Sequence, residues 1–334
     1  MASGAGTAGD TRPLVSMLLI AYNQQASVAE AIAGALAQTY SPLEIIVSDD
    51  ASSDGTFAAM QAALAAYAGP HCVQLNRNAS NLGVGAHLSH LVGLSRGELL
   101  FVTAGDDISL PHRCEKVVGA WLASDKRLDL IAAALEDMDE HGQGHERITP
   151  SDLGSYHGAA DWLARPPFVV GAAQAWTRRV FDRFGPLPRG LVAEDLVMVF
   201  RAIVSGGALT LPETLVRYRR GGVSRRRRAM RTGDVVAGLL KNNRSSLVEL
   251  PQLLSDAALA GELPAVEAAL SARLERERFI RDLFAAKTAP ERLSVAIHAK
   301  RVPLRVRLRL ALYAAFPEAL APFFWLKRTL AGGR

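Results

Sequence analysis

The chain has 334 residues, of which 49% are hydrophobic and 21% are charged, and its formal net charge is +5 at pH 7. These values are ordinary for a folded protein with one large domain or two modest ones. Residues 1–11 are rich in Gly, Ala, Ser and Thr and lack a basic segment followed by an apolar run. They exclude a secretory signal peptide and predict a disordered tail. The only cysteines, Cys72 and Cys114, are far apart, which fits a reducing cytosol.

Short apolar runs alternate with helical patterns over the first 135 residues. Ser27 and Glu30 have the spacing of a capping box that opens the first helix. The predicted strands are Leu14–Ala21, Leu43–Ser48, His71–Leu75, Glu98–Thr103 and Leu128–Leu135. The predicted helices are 27–38, Thr56–Tyr67, Val84–Leu94 and Pro111–Ala123. This alternation is typical of an α/β fold with a mostly parallel, doubly wound sheet.

Polar side chains follow the end of each predicted strand. In chain order they are Tyr22-Asn23, Asp49-Asp50, Asn76-Arg77 and Asp106-Asp107. Ligands of such sheets bind outside the carboxyl ends of the strands. Solvated loops could give this pattern by chance, but two doubled acids favour a binding site at this rim.

Three acidic segments each allow two interpretations. In the segment 47–56 (VSDDASSDGT), carboxylates can accept hydrogen bonds from a base or ribose, or they can simply stabilise a turn. In 103–111 (TAGDDISLP), paired carboxylates suit Mg²⁺ or Mn²⁺, or mark a helix N-terminus. In 193–201 (AEDLVMVFR), Glu194-Asp195 open a predicted helix, and a helix start alone would explain them.

Three other signals point away from rival classes of site. The segment 93–97 (GLSRG) matches a nucleophile elbow, but it follows a helix and precedes a strand, the reverse of the required order. His87 and His90 could share a helix face as metal ligands, although ordinary helix packing is the better interpretation. The first strand is also not followed by the glycine pattern of a nicotinamide-binding domain.

Taken together, the motifs resemble those of an inverting family 2 glycosyltransferase with the GT-A fold, a Rossmann-like α/β architecture. The resemblance is carried by residues 15–24 (VSMLLIAYNQ), 38–56, 81–113 and 193–224, in this order over about 210 residues. Each segment is a loose pattern, and the set is specific because of its order and spacing. The resemblance implies a GT-A domain over residues 12–228 and a helical C-terminal extension over 229–334.

The resemblance also implies roles for individual residues. Ala21, Tyr22 and Asn23 would line the nucleotide pocket, together with Asp49, Asp50, Arg77 and Asp106. Asp107, supported by Asp106, would bind Mg²⁺ or Mn²⁺. Asp195 would be the general base, supported by Glu194. The small-residue loop within 168–176 would line the acceptor site, with Gly171 and Trp176 as candidates.

One departure from the family pattern concerns the diphosphate. Many members have a His after the late Tyr-Arg pair, whereas residues 218–224 here read YRRGGVS. Arg219 or Arg220 is the candidate diphosphate ligand, because a guanidinium group suits phosphate oxygens.

The C-terminal region differs in character from the rest of the chain. Residues 235–284 read as helical stretches with short breaks, and 300–309 (KRVPLRVRLR) place five basic residues among Val and Leu. Leu308–Leu326 is interrupted by two prolines and one Glu, so it does not predict a spanning helix. The basic segment indicates an amphipathic surface for an anionic membrane. The alternative is a helix packed on the domain with a solvated basic face.

These expectations define one principal hypothesis and two alternatives. The principal one is metal-assisted, inverting transfer of a sugar from a UDP- or dTDP-sugar to a polysaccharide or lipid-linked glycan, in the cytoplasm or at the cytoplasmic face of the inner membrane. The alternatives are a sugar-1-phosphate nucleotidyltransferase and a non-catalytic nucleotide- or glycan-binding protein of the same fold. No nucleic-acid partner is expected, because no recognised nucleic-acid module accompanies the eight arginines of 217–231.

Overall fold

The structure is a computed structural model that describes residues 12–139, 142–219 and 232–316. The predicted N-terminal tail, Arg220, the arginine run before residue 232 and everything after residue 316 lie outside the described residues.

One nine-stranded sheet organises the first 219 residues. Its strands are β1 (Val15–Ala21), β2 (Leu43–Asp49), β3 (Cys72–Arg77), β4 (Leu99–Ala104), β5 (Ile108–Ser109), β6 (Leu130–Met138), β7 (Gly144–Ile148), β8 (Gln174–Thr177) and β9 (Ala208–Arg219). The order is β3-β2-β1-β4-β8-β6-β9-β5, and β7 pairs with β6. The β3-β2-β1-β4 pairs and the β6-β9 pair are parallel, whereas the β4-β8, β6-β8, β6-β7 and β5-β9 pairs are antiparallel. The predicted α/β fold is confirmed, but its sheet is mixed and not mostly parallel.

Helices cover the sheet and form the C-terminal region. Those within the sheet domain are α1 (Val28–Leu36), α2 (Thr56–Leu64), α3 (Val84–Leu94), α4 (Arg113–Ala123), α5 (Ala159–Ala164), α6 (Arg178–Phe184) and α7 (Glu194–Ile203). Those of the C-terminal region are α8 (Thr232–Ala260), α9 (Leu263–Ala285), α10 (Ala289–His298) and α11 (Leu304–Ala315). The predicted helical C-terminal region is therefore present, with its two longest helices separated by a short break at Gly261.

The register of the parallel strands aligns the loops that carry the predicted polar residues. Ala21 at the end of β1 is opposite Asp49 at the end of β2, and Asp49 is opposite Arg77 at the end of β3. On the other side of β1, Ile20 is opposite Ala104. The four loops thus begin at one edge of the sheet, as the sequence predicts.

Alternate residues of the central strands pack on opposite faces of the sheet, which explains their continuous apolar runs. Leu18 and Leu100 belong to the core that contains α3 and α7. Met17 and Phe101 belong to the core on the other face, which contains α1 and α4. Both cores are well buried, so the strand ends are held rigidly beneath the rim.

The C-terminal helices share a core with the sheet domain. Leu250, Leu253 and Ala257 of α8 belong to the same buried cluster as residues of α7. At its centre, Arg201 of α7 donates to both carboxylate oxygens of Asp256, at 2.8 and 3.3 Å, and both side chains are fully buried. Breaking one partner of such a pair is strongly destabilising, because it leaves an uncompensated buried charge.

Two features of the sheet domain differ from the sequence prediction. The capping box is wrong: Ser27 Oγ donates to the Gly105 carbonyl at 3.0 Å, and the Glu30 carboxylate accepts from Arg219 Nη2 at 2.7 Å. The sequence reading also missed four strands: β5, β7, the four-residue β8 between β4 and β6, and the twelve-residue β9 beside β6. These differences arise because long-range partners replace the local ones.

Within the described residues, no helix is both long enough and apolar enough to cross a bilayer.

Candidate active site

Asn23, which has a left-handed backbone conformation, connects the first loop of the rim to the second by hydrogen bonds. Asn23 has φ 53° and follows Tyr22, whose side chain is 49% exposed. Asn23 Oδ1 accepts from the Ser53 backbone N–H at 2.9 Å, and its own N–H donates to Ser52 Oγ at 2.8 Å. Asn is one of the few residues that adopt this conformation readily. Beside them Ala21 is buried at the end of β1.

The Asp49 carboxylate is fully buried and already bonded within the protein. Both of its oxygens accept from the Ser52 backbone N–H at 3.2 Å, and Oδ2 lies 3.2 Å from Arg77 Nε. The Arg77 guanidinium stacks over the Phe57 ring, 4.9 Å from its centroid. Asp49 therefore fixes the loop and positions Arg77 at the rim, and its predicted contact with a nucleotide stays a prediction.

Asp50 anchors the segment before α3. Its Oδ1 accepts from Asn78 Nδ2 at 2.8 Å and from the Leu82 N–H at 2.9 Å, and its Oδ2 accepts from the Gly83 N–H at 3.0 Å. The side chain is only 3% exposed. Protein donors reach both oxygens, so Asp50 fixes the segment before α3, and its predicted contact with a nucleotide stays a prediction.

His87 lies beneath this loop as a packing residue. Its Nε2 is 2.6 Å from Ser48 Oγ, and its Nδ1 is 4.0 Å from Asp50 Oδ1. Burial lowers the pKa of His87 to about 4, so the ring is neutral at pH 7. His90 is exposed on the same helix. The packing interpretation of the sequence is the one that the structure favours.

The turn after β4 brings Asp106 and Asp107 to the rim next to β1. A side chain at Gly105 would place its Cβ 2.6 Å from Ala21 Cβ, so only glycine allows this approach. Asp107 Oδ1 accepts from the Arg219 backbone N–H at 2.8 Å, and Arg219 Nε donates to the Asp106 carbonyl at 3.2 Å. Arg219, at the end of β9, therefore reaches the acidic turn as expected. Arg220 lies outside the described residues.

The two carboxylates of this turn carry raised pKa values. Burial raises the pKa of Asp106. Burial, followed by the neighbouring Asp106 charge, raises the pKa of Asp107 well above its usual range. A cation bound between them would favour their ionised forms. The turn thus has the electrostatic character of a cation site.

The second acidic pair opens α7. Glu194 and Asp195 are partly buried, and the Leu196 N–H donates to Asp195 Oδ1 at 2.8 Å. Burial, followed by the Asp195 charge, raises the pKa of Glu194 to about 8, and burial raises the pKa of Asp195. Gly171 lies against both: a Cβ there would be 3.0 Å from Glu194 Oε1 and 3.4 Å from Asp195 Cβ.

The topology places the two acidic pairs at one edge of the sheet. Strand β8 runs antiparallel to β4, with Phe101 opposite Ala175, so the residues before β8 lie at the carboxyl end of β4. Gly171 is among them, and it contacts Glu194 and Asp195. The loop that follows β4 carries Asp106 and Asp107. The structure therefore brings together residues that are about 90 positions apart in sequence.

Two buried residues that the sequence reading missed connect these pairs. Arg113, at the start of α4 and fully buried, donates to the Gln174 carbonyl at 3.0 Å and to Ser109 Oγ at 2.9 Å. Gln174 Nε2 donates to the Asp195 carbonyl at 3.4 Å. Burial lowers the pKa of Arg113 to about 10, so it remains a cation, and its charge acts on Asp107. An Arg in a helix start gives no sequence signal for this role.

Trp176 belongs to the core and does not face an acceptor groove. Its side chain is 0% exposed, and its Nε1 donates to Gln174 Oε1 at 2.7 Å. The expectation that it lines the acceptor site is therefore wrong, since a strand position beneath the rim sequesters it. In the same segment Phe168 is 56% exposed and Gly171 contacts Glu194 and Asp195, and the predicted acceptor role of Gly171 stays a prediction.

Helix α8 adds a third acidic side chain near α7. Gly190, four residues before α7, lies against Val248 of α8: a Cβ added at Gly190 would be 3.6 Å from Val248 Cγ2. Burial raises the pKa of the adjacent Glu249, the Asp195 charge raises it further, and Arg273 of α9 opposes the shift. The C-terminal helices thus contribute charge to the surroundings of Asp195, which nothing in the sequence indicated.

Comparison with known proteins identifies the family. Residues 16–184 match the family model described as Glycosyl transferase family 2, which is half of the chain. The chain belongs to glycosyl transferase family 2. The matched region includes β1 to β4, the acidic turn and Gly171, and it ends before Asp195.

Individual proteins are similar in sequence to part of this family 2 chain. The putative glycosyltransferase EpsE of Bacillus subtilis is 34% identical over 139 residues, which are 42% of this chain and 49% of EpsE. The uncharacterized protein Rv1520 of Mycobacterium tuberculosis is 28% identical over 212 residues, 62% of this chain and 58% of that protein. The chain therefore spans about half the length of these curated relatives.

Solved structures agree in fold. TarS 1–349 of S. aureus in complex with UDP-GlcNAc has a TM-score of 0.55 and 14% identity, and the alignment covers 95% of this chain and 92% of that one. The mannosyltransferase PcManGT of Pyrobaculum calidifontis, in complex with GDP-Man and Mn²⁺, has a TM-score of 0.52 and 18% identity, with coverage of 94% and 88%. The GT-A-like fold of this family 2 chain is thereby confirmed.

The residues of the acidic turn fit a divalent cation. Among the described residues, no three His, Cys, Asp or Glu side chains form a metal-binding group. Asp106 and Asp107 therefore offer one or two carboxylates, which is how Mg²⁺ is commonly bound, with water and substrate phosphates completing its shell. The family pattern places a His after the pair Tyr218-Arg219, and the residues at that point, 220–224, lie outside the described residues.

Proposed function

We propose that this family 2 chain transfers one sugar, with inversion, from a UDP- or dTDP-sugar to a polysaccharide or lipid-linked glycan. The observation that carries the proposal is the contact of Gly171 with Glu194 and Asp195 at the sheet edge that also bears Asp106 and Asp107. Inverting transfer needs one base for the acceptor hydroxyl and a site for the leaving diphosphate. An edge with two acidic pairs can provide both.

Asp195 is the proposed general base. Its raised pKa makes it a better proton acceptor than a solvated carboxylate, and burial is the cause. The pKa of Glu194 is raised to about 8, which favours its protonated form at pH 7 and lowers the repulsion of a negative charge on Asp195. Gly171 leaves space above this charge for an acceptor hydroxyl, and Gln174 holds the Asp195 backbone.

The donor is proposed to lie along the rim from Tyr22 to the acidic turn. Exposed Tyr22 and the stacked Arg77 frame the end where a base and ribose would bind. Asp106 and Asp107 would bind Mg²⁺ or Mn²⁺, and that cation would stabilise negative charge on the departing diphosphate. Arg219, which is held by Glu30 and the acidic turn, is suited to contact the same phosphates.

The cytoplasmic setting and the acceptor class are part of the proposal. Both cysteines are free thiols, which fits a reducing compartment. A structural relative binds UDP-GlcNAc and another binds GDP-Man with Mn²⁺, which supports a nucleotide-sugar donor and a divalent cation here.

The test is a donor panel with stereochemical analysis. Purified protein is incubated with Mn²⁺, a glycan acceptor and UDP-, dTDP- or GDP-sugars, and NMR spectroscopy determines the anomeric configuration of the product. The proposal expects nucleoside diphosphate release and inverted product from a UDP- or dTDP-sugar, with Asp195→Asn as the control that loses turnover. A product of retained configuration, or synthesis of a nucleotide sugar from a nucleoside triphosphate and a sugar 1-phosphate, would overturn it.

A further inference from the structure

Exposed apolar side chains are concentrated at the end of the described chain. Eleven large hydrophobic residues are exposed in the described ranges, and six of them lie between residues 293 and 316. Four belong to one row on or next to α11: Leu304, Leu308, Leu312 and Phe316, which are 60%, 63%, 47% and 61% exposed. A soluble surface rarely arranges several such side chains contiguously.

The spacing of these residues makes the row continuous. They recur every four residues, so they follow one side of the helix. The opposite side of α11 is packed: Leu310 is buried, and Val306 and Tyr313 pack against the same cluster as α9. The exposed row is therefore the outer face of a helix whose inner face is packed against the protein. We call this row, Leu304 to Phe316, the α11 apolar row.

Basic side chains flank the α11 apolar row. Residues 299–316 contain five basic residues and no Asp or Glu. Arg307 is used within the protein, because its Nη1 donates to the Ala296 carbonyl at 2.8 Å and so helps to cap α10. Arg305 and Arg309 are exposed, lie one turn apart, and form no ion pair with any residue that the structure describes. Their charge is available to an external partner.

We propose that the α11 apolar row and its flanking arginines bind the surface of an anionic lipid bilayer. A helix with apolar side chains on one side and arginines beside them lies in the headgroup region with its apolar face buried. Acidic lipid headgroups complement Arg305 and Arg309. The sequence after residue 316 continues with Phe323, Phe324 and Trp325 followed by Lys327 and Arg328, side chains that favour the membrane interface.

The bilayer is favoured over a second copy of the chain because the segment 299–316, which carries the row, has basic but no acidic side chains. A symmetric contact through this face would oppose Arg305 and Arg309 to their own counterparts, which is unfavourable. The proposal extends the proposed function, since it would hold the site near a lipid-linked acceptor, but it does not depend on glycosyl transfer. Binding to vesicles can be measured without any donor.

The test is flotation of the full chain with vesicles of phosphatidylcholine alone or with phosphatidylglycerol. We expect binding only to the anionic vesicles, weakened by high salt. Arg305→Gln/Arg309→Gln should reduce the partition coefficient by roughly 30-fold, from the contribution of each basic residue near an anionic surface. Leu308→Asp/Leu312→Asp should abolish binding. Leu259→Asp, which changes a 57% exposed Leu on α8, is the matched control and should bind normally.

The outcomes separate the alternatives. Circular dichroism shows whether each variant is folded, and donor turnover with a soluble acceptor gives a second check. If neither the unaltered chain nor any variant shows turnover, that result counts against the proposed function and not against membrane binding. If folded Leu308→Asp/Leu312→Asp binds anionic vesicles like the unaltered chain, the proposal is wrong. It is also wrong if the unaltered chain binds no vesicles, and a dimer in light scattering that this variant disrupts would then identify a second copy as the occupant.

Discussion

The two ends of the sheet rim use the same residue type in opposite ways. At the nucleotide end, the Asp49 and Asp50 carboxylates accept hydrogen bonds from neighbouring loops, and Arg77 pairs with Asp49. At the acidic end, Asp107 and Glu194 each lie beside a second carboxylate and carry raised pKa values. The first arrangement stabilises the conformation of the loops. In the second, neighbouring carboxylates repel each other, and binding of a cation or of a proton from an acceptor would reduce that repulsion.

This difference distinguishes carboxylates that stabilise loops from carboxylates that are suited to catalysis or cation binding, which residue type alone does not. A carboxylate with enough hydrogen-bond donors holds its loop, as Asp50 does for the segment before α3. A buried carboxylate next to another one favours a proton or a metal ion, which is the property that a catalytic base or a cation ligand needs. Each end of the rim therefore makes its own prediction for substitution.

The largest expected effect is on turnover. Asp195→Asn keeps the size of the side chain and removes the proposed base, so we expect kcat to fall by roughly 10²–10⁴. Donor binding should change little, because the substituted residue is not on the donor side of the rim. Steady-state kinetics with the donor identified in the panel measure this effect. A variant with unchanged kcat would remove Asp195 from the chemistry.

At the nucleotide end the expected effect is on stability. Asp50→Asn replaces one acceptor oxygen by an NH₂ group. With the remaining oxygen directed to Asn78 and Leu82, the NH₂ group faces the Gly83 N–H, so one buried hydrogen bond is lost. We expect the free energy of unfolding to fall by about 1–3 kcal/mol. Urea denaturation followed by circular dichroism measures it. Unaltered stability together with lost donor binding would show that Asp50 is a direct nucleotide ligand after all.

The smallest effect concerns pH. The pKa of Glu194 rises from 4.5 to about 8 on folding, so the folded state binds the extra proton and stability falls as pH increases through this window. Glu194→Gln removes this loss. The melting temperature of the variant relative to the unaltered protein should therefore increase between about pH 5 and pH 8, by roughly a few degrees. Differential scanning fluorimetry over pH tests this, and a constant difference would contradict it.

Much of the nucleotide half of the fold was predictable, because its signals are local. The strands that became β1, β2 and β4 are continuous apolar runs, and the bounds of α3 were predicted as Val84–Leu94 and confirmed. Strand β8 was missed because four residues between small side chains carry no periodicity. Its position is set by pairing with β4 and β6, which are distant in sequence.

The site was predictable in outline and not in detail. Doubled acids after strands pointed to Asp49-Asp50 and to Asp106-Asp107, and the family resemblance pointed to Glu194-Asp195 at the start of a predicted helix. The donors that occupy Asp50 come from three different positions, and the burial of Trp176 depends on its strand neighbours, so the sequence could not reveal either. The connecting residues Arg113 and Gln174 were invisible because their bonds join segments about 60 residues apart.

The central claim is that the two acidic pairs have different roles in one site: Asp106 and Asp107 bind the cation, and Asp195, beside Glu194, is the base. Isothermal titration calorimetry of a nucleoside diphosphate with Mn²⁺ tests it on the unaltered protein, Asp107→Asn and Asp195→Asn. The account predicts that Asp107→Asn loses the Mn²⁺-dependent part of binding while Asp195→Asn retains it. Equal, full affinity for all three proteins, or loss of binding in Asp195→Asn with Asp107→Asn unaffected, would contradict the account.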